Sequence, residues 1–132
     1  MKPILDFSNS VVLDIETFGL EPDSPVWEAA LWDVKANRLI KRWSIAPTHP
    51  TTGKPLSQAE LPQYMETWTR ARYESGSLRG PINQAQATGV MPADFLDDLM
   101  KNISGREVYI ANAPIDRDWE TDSYLALVHV SM

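Results

Sequence analysis

The stretch Val11–Thr17 reads VVLDIET and sets two carboxylates, Asp14 and Glu16, inside an apolar run near the N-terminus. Val, Leu and Ile over this length, bounded by Asn9 on one side and Gly19 on the other, predict a short buried strand. Side chains two residues apart on a strand point to the same face. Asp14 and Glu16 therefore stand side by side, where they repel each other and lose hydration. Such a pair calls for a cation or a catalytic reason.

The pattern around this strand predicts an α/β fold in the order β-β-β-α-β-α, with helices packed on a mixed sheet. Residues 26–34 and 38–45 are predicted as two strands joined by a tight hairpin turn, and residues 47–55 as a long loop. The four apolar residues that recur at helical spacing between Pro92 and Gly105 predict an amphipathic helix, and they are Leu96, Leu99, Met100 and Ile103.

The other elements follow from capping signals and shorter apolar runs. Ser57 and Glu60 have the spacing of a capping box, and a helix is predicted over about residues 63–74. Residues 75–88 form a connector, either looped or containing a short helix. Residues 108–111 are predicted as a strand, and a last helix is predicted from Asp116 as far as Val130.

Composition limits the class of protein. The 132 residues suit one domain, 1–132, with enough length to bury a core. No apolar run approaches the roughly 20 residues of a membrane helix, and the N-terminus does not resemble a signal peptide. The chain has no cysteine, which excludes disulfides and thiolate metal sites, and a cytoplasmic location is expected. A net charge of −6 argues against binding nucleic acid through a broad basic surface but is compatible with a metal-dependent nuclease.

A second polar element stands where the later strand ends. Asn112 to Asp116 follows residues 108–111, and neighbouring central strands can place Asp14, Glu16 and Asp116 around one point. Carboxylate oxygens are hard ligands suited to Mg²⁺ or Mn²⁺. A bare Asp-x-Glu triplet occurs often by chance, whereas the two elements together are far more specific. The sequence therefore predicts a divalent metal site.

These residues carry a resemblance to a known family. The run from Val12 to Gly19 resembles the first motif of the DEDD family of 3′-5′ exonucleases, of the DnaQ-like, RNase T type, and Asn112-x-x-x-Asp116 resembles its second motif. The resemblance implies an RNase-H-like fold and a two-metal hydrolysis of the terminal phosphodiester. By position, Asp14, Glu16 and Asp116 are then the catalytic metal ligands.

The family's third motif has no counterpart in this chain. That motif is a His or Tyr four to five residues before a fourth carboxylate, whereas the late His129 is followed only by Val, Ser and Met. The expectation is a C-terminally shortened domain that lacks its last ligand and general base. Asp118 and Asp122 are the alternative ligands, with solvated helix charges as the plainer interpretation.

Substrate contacts are also expected around the two motifs. Thr17, Phe18 and Asn112 are the candidate substrate-binding residues; Phe18 either wedges against a terminal base or packs in the core, and Asn112 supports the second-motif turn. The expected partner is a single-stranded DNA or RNA 3′ end, with no membrane, and a homodimer is left open. The alternative function is a catalytically silent module for nucleic-acid binding or interaction on the same fold.

Overall fold

The central feature of the protein is one mixed β-sheet. The computed structural model describes residues 7–112 and 126–131, with side chains for residues 7–110. The strands are β1 Ser10–Thr17, β2 Val26–Asp33, β3 Arg38–Ser44, β4 Glu107–Asn112 and β5 Ala126–Ser131. They lie in the order β3-β2-β1-β4-β5, with β1, β2 and β3 antiparallel and β4 parallel to β1. The predicted α/β class with a mixed sheet is confirmed.

The predicted hairpin of β2 and β3 is also confirmed. The amide of Ala36 donates to the Asp33 carboxylate at 3.0 Å, which closes the turn. Asn37 takes a left-handed backbone conformation with φ 52°, which Asn tolerates better than most residues. Since the hairpin fixes the register, Ala29 and Leu31 point to one face of the sheet and Glu28 and Ala30 to the other.

Three α-helices and one 3₁₀ helix connect β3 to β4. Their bounds are Gln58–Tyr64 for the 3₁₀ helix, Thr67–Ser75 for α1, Arg79–Thr88 for α2 and Pro92–Ile103 for α3. The predicted capping box of Ser57 and Glu60 is present. The helix predicted over about 63–74 is divided in two, because the 3₁₀ helix contains Pro62 and the chain is extended at Met65 and Glu66 before α1 begins. The predicted connector contains α2.

Helix α3 covers the middle of the sheet. Its buried residues are Phe95, Leu99 and Ile103, spaced four apart. The predicted buried face was wrong in part, since Leu96 and Met100 are 53% and 49% exposed. Phe95 takes their place because its ring packs against Trp43 of β3 at 5.1 Å between centroids. The adjacent stripe of apolar residues therefore faces outward.

The helix predicted as far as Val130 is wrong over residues 126–130. These residues belong to β5, which pairs antiparallel with β4, with Val128 opposite Ile110 and Val130 opposite Val108. Val128 and Val130 alternate with His129 in the sequence, a period-two pattern that is typical of a strand. Pairing with β5 also gives hydrogen-bond partners to the backbone groups along the edge of β4 that faces away from β1. The part of the prediction that falls on residues 116–125 lies outside the described residues.

Two apolar clusters form the described core. The first packs α3 against the sheet and includes Val11 and Leu13 of β1. The second joins the 3₁₀ helix, α1 and α2 to the start of β2 and the segment after β1, through Phe18, Trp27, Leu61, Tyr73 and Ile82 among others. Within the described part of the chain, no helix is long and apolar enough to cross a membrane.

Candidate active site

Asp14 and Glu16 lie on the central strand, on the face of the sheet opposite α3. Val11 and Leu13 point into the core, so Asp14 and Glu16 share the other face, as the strand period predicted. Both carboxylates are half-buried. A bulge between Glu16 and Thr17 interrupts the pairing with β2 immediately after the second carboxylate. The pair therefore stands where the sheet ends and its side chains become open to a ligand.

A third carboxylate joins this pair from the neighbouring strand. Glu28 of β2 lies directly opposite Glu16 in the antiparallel register, and like charges in that position destabilise a sheet. Burial raises the pKa of Glu16 to about 7, and the Asp14 and Glu28 carboxylates add to that rise. Without a bound cation, ionisation of Asp14, Glu16 and Glu28 together is therefore unfavourable. Either a proton on one carboxylate or a bound cation would relieve this repulsion.

One cation lies across the sheet from these acids. Asp14 is opposite Ala30, and Ala30 is opposite Arg42 of β3, so the three residues form one row on the same face. Burial raises the pKa of Asp14, while the Arg42 guanidinium acts in the opposite direction. Because Ala30 has a small side chain, nothing larger separates the carboxylate from the guanidinium within this row. Asp14 and Glu16 thus differ in their electrostatic surroundings.

The second predicted motif begins beside the same carboxylates. Strand β4 runs parallel to β1, with Ala111 in register with Asp14, and Asn112 is the last residue of β4. The backbone of Asn112 is therefore beside the pair, while its side chain and the whole of Asp116 lie outside what the structure describes. Asp118 and Asp122 lie outside it as well.

A complete metal site is not formed by the described residues alone. Among them, no group of three or more His, Cys, Asp or Glu side chains is placed to hold a metal ion. Asp14 and Glu16 supply two hard oxygen donors, and a cation would relieve their repulsion. Further ligands would come from water, from residues outside the described ranges or from the substrate.

The two candidate substrate residues after β1 have different positions. The Thr17 hydroxyl donates to the carbonyl oxygen of Gly19, so it stabilises the turn after the strand, and its side chain is partly exposed. Phe18 is 0% exposed and packs in the second core cluster. Of the two alternatives expected for Phe18, a wedge against a terminal base or packing in the core, the structure therefore shows packing in the core. Gly19 leaves room for the Glu66 side chain, since a Cβ there would lie 2.4 Å from Glu66 Cγ.

A cavity of about 330 Å³ opens next to the carboxylates. It extends from the end of β1 to the start of β2, α1 and α2, and its lining residues are Glu16, Thr17, Trp27, Glu28, Trp68, Thr69, Leu78 and Pro81. Sequence reasoning missed Glu28, Thr69 and the cavity itself. The only signal for Glu28 was its place in the alternation of the second strand, since the cavity depends on how two later helices pack.

Comparison of the chain with protein family models, with curated proteins and with solved structures finds no match.

Proposed function

We propose that this chain is a metal-dependent 3′-5′ exonuclease domain of the DEDD type, with an RNase-H-like fold. Its substrate is a single-stranded DNA or RNA 3′ end in the cytoplasm, and its metal is Mg²⁺ or Mn²⁺. The observation that carries the proposal is the pair Asp14 and Glu16, half-buried side by side at the end of the central strand. A fold gains no stability from this arrangement, since burial and like charge both disfavour it.

The placement of the second motif supports the same proposal. Because β4 is parallel to β1 and ends beside Asp14, the chain leaves β4 at the carboxylate pair. Asp116 follows Asn112 by four residues, which is a short enough distance for it to act as the third ligand. The order of three antiparallel strands, helices and a parallel strand also agrees with the arrangement that the family resemblance implies.

The proposed reaction is hydrolysis of the terminal phosphodiester. A water oxygen bonds to the terminal phosphorus, the bond from phosphorus to the 3′ oxygen breaks, and a nucleoside 5′-monophosphate leaves. Bound divalent ions would supply a hydroxide at neutral pH and stabilise the leaving oxygen. Asp14 and Glu16 bind through their carboxylate oxygens, and Glu16 must lose any proton it holds before it can act as a ligand. Arg42 offsets negative charge beside Asp14.

The alternative function is a catalytically silent module that binds nucleic acid. The observation that favours it is the small number of acidic ligands brought together within the described residues. Such a module would keep the fold and the cavity beside the carboxylates, but it would not hydrolyse the nucleic acid that it binds. The two functions make different predictions for the same purified protein.

The test uses a single-stranded oligonucleotide labelled at its 3′ end, and a second one labelled at its 5′ end, with Mn²⁺. The exonuclease releases the 3′ label as a mononucleotide and shortens the 5′-labelled strand stepwise. Asp14→Ala and Asp116→Ala abolish this release, whereas Asp97→Ala, on the exposed side of α3, does not.

Two other outcomes contradict the exonuclease. Binding of the oligonucleotide without shortening supports the silent module. If calorimetry with millimolar Mn²⁺ detects no binding to the wild type or to Asp116→Ala, the acids have no metal-binding role.

A further inference from the structure

We infer that the hairpin of β2 and β3 holds the part of a single-stranded nucleic acid that lies upstream of its 3′ end. The contacts are made by a hairpin surface formed by Trp32, Lys35, Leu39 and Arg42, in which Trp32 stacks on a base and Arg42 binds a phosphate. This inference rests on the proposed function, because it extends the path of the same substrate away from the carboxylates. The hairpin contains neither of the two motifs.

Positive charge is concentrated around this hairpin. The chain has a net charge of −6, yet residues 34–59 contain five Lys or Arg residues and no Asp or Glu. Lys35 and Arg42 are both exposed, and neither forms an ion pair with another described residue. By contrast, Lys41 is paired with Asp98 of α3. An anion that approaches this otherwise acidic protein therefore meets unpaired cations at the hairpin surface.

The strand register places this surface beside the proposed catalytic pair. Asp14, Ala30 and Arg42 form one row across β1, β2 and β3, on the face of the sheet opposite α3. In the next row on that face, Trp32 is opposite Leu39. The two rows are roughly 7 Å apart, since each residue of a strand advances the chain by about 3.4 Å. Because the side chain of Ala30 is small, a strand bound at Asp14 can continue over Ala30 towards β3.

Exposed apolar side chains on the same surface indicate which anion the cations bind. Trp32 and Leu39 are 40% and 39% exposed. Phe7 lines a cavity together with Lys35, and its ring packs against Tyr109 at 5.7 Å between centroids. Cations interleaved with exposed aromatic rings suit a single-stranded nucleic acid, because the phosphates pair with the cations and the unpaired bases stack on the rings. An acidic peptide would match the charges but would leave the indole of Trp32 in water.

Charge separates this surface from the proposed catalytic pair. A terminal phosphodiester at Asp14 and Glu16 is repelled by the carboxylates unless a metal ion is bound. The upstream phosphates lie beside Lys35 and Arg42, where attraction requires no metal. The hairpin surface therefore holds the strand independently of the reaction, and binding in EDTA reports on this surface and not on the metal site.

The test measures binding of a single-stranded DNA of about ten nucleotides, labelled with fluorescein at its 5′ end, to the whole chain in EDTA. Binding is followed by fluorescence anisotropy at low salt, and the unlabelled competitors are a dinucleotide, a duplex of the same sequence and polyglutamate. We expect the ten-nucleotide strand to bind about tenfold more tightly than each competitor. The dinucleotide is too short to reach the hairpin surface from the carboxylates, the duplex hides the faces of its bases, and polyglutamate has no rings to stack.

Arg42→Gln and Lys101→Gln form a matched pair. Each removes one exposed cation, but Lys101 lies in the last turn of α3, which covers the other face of the sheet. We expect Arg42→Gln to weaken binding about fivefold. It should also lower the slope of log affinity against log salt concentration by about 0.7, the value for one phosphate contact in a single strand. Lys101→Gln should change neither the affinity nor the slope.

Trp32→Ala and Leu96→Ala form a second pair. Each removes an exposed apolar side chain, and Leu96 lies on α3. We expect Trp32→Ala to weaken binding about tenfold, the effect of losing one base stack, and Leu96→Ala to leave it unchanged. Trp32→Tyr keeps an aromatic face and should retain most of the affinity. Circular dichroism checks that each variant is folded, and if Trp32→Ala does not fold, Trp32→Tyr and Arg42→Gln decide the outcome.

The inference is overturned if the single strand does not bind at about 100 μM protein, or if Arg42→Gln and Lys101→Gln lose the same affinity. It is also overturned if polyglutamate or the duplex competes as well as the unlabelled single strand, since the surface would then recognise charge alone. Failure of the exonuclease proposal is distinct, because it appears as absence of Mn²⁺-dependent shortening while binding in EDTA persists and still depends on Arg42.

Discussion

Replacing Glu16 by Gln is expected to make the metal-free protein more stable at pH 8 and to reduce the dependence of its stability on pH. The Glu16 carboxyl has an ordinary pKa of 4.5, and in the folded chain burial and the neighbouring acids raise its pKa to about 7. The folded state therefore binds this proton more tightly than the unfolded state does. The proton stabilises the fold fully below pH 4.5, and the stabilisation is lost as pH rises towards and through 7.

The size of the effect follows from the same pKa difference. At 1.36 kcal/mol for each pKa unit, the whole difference corresponds to about 3 kcal/mol. Glu16 is only half-buried, so water screens part of its interaction with Asp14 and Glu28. We therefore expect the free energy of unfolding of the wild type to fall by about 1–2 kcal/mol between pH 5 and pH 8 on account of Glu16. Gln keeps the shape of the side chain without the charge.

The assay is urea unfolding followed by tryptophan fluorescence at pH 5, 6, 7 and 8 in EDTA. Glu74→Gln is the matched control, because Glu74 is exposed on α1 and does not line the cavity beside the acids. The wild type and Glu16→Gln differ at this one residue, so the difference between their curves isolates Glu16. If Glu16→Gln keeps the slope of the wild type, the like-charge explanation of this site is refuted.

Three further substitutions test the packing on which the site depends. Gly89→Ala should destabilise the protein by about 3 kcal/mol in urea unfolding, because a Cβ there would lie 2.4 Å from the Ala85 carbonyl oxygen and 2.6 Å from the Ala46 nitrogen, both backbone atoms. Gly80→Ala should stabilise helix α2 by about 0.5 kcal/mol, because nothing lies within 4 Å of a Cβ at that position. Equal effects of the two substitutions on the free energy of unfolding would contradict this difference in packing. Phe18→Ala should lower the free energy of unfolding by about 3–5 kcal/mol, as expected for a fully buried ring. Unchanged stability together with weaker oligonucleotide binding would instead indicate that Phe18 wedges against a terminal base.

Local sequence patterns were sufficient for the strands and the hairpin that position the carboxylates. A strand alternates with a period of two, so the common face of Asp14 and Glu16 followed directly from their spacing. The face of α3 was harder, because Phe95 and Leu96 begin two overlapping stripes of apolar residues. Which stripe is buried depends on the ring of Trp43, which lies on a strand about 50 residues earlier. At the other end of the chain, the valines of β5 were too few to separate a strand from a helix by period alone.

The parts of the site that the sequence could not predict depend on register and packing. Glu28 joins the pair only because the hairpin places it opposite Glu16 and not one residue away. The cavity requires α1 and α2 to pack beside the end of the sheet, with Thr69 and Pro81 brought together from separate helices. No spacing within the chain encodes that approach. The sequence motif was therefore enough to locate the carboxylates, whereas the residues that surround them could be identified only from the folded structure.

The unfavourable features of the described fold are concentrated at one place. Glu16 is crowded by two carboxylates, and within the described residues two of the three buried unpaired side-chain atoms belong to Trp27 and Thr69, which line the cavity beside it. Departures from consistent packing are expected at functional sites, where stability is given up for binding. Glu16→Gln should therefore leave the free protein as stable as the wild type, or more stable, at pH 8. The same substitution should weaken metal binding, and a loss of stability as well would show that the Glu16 side chain supports the fold.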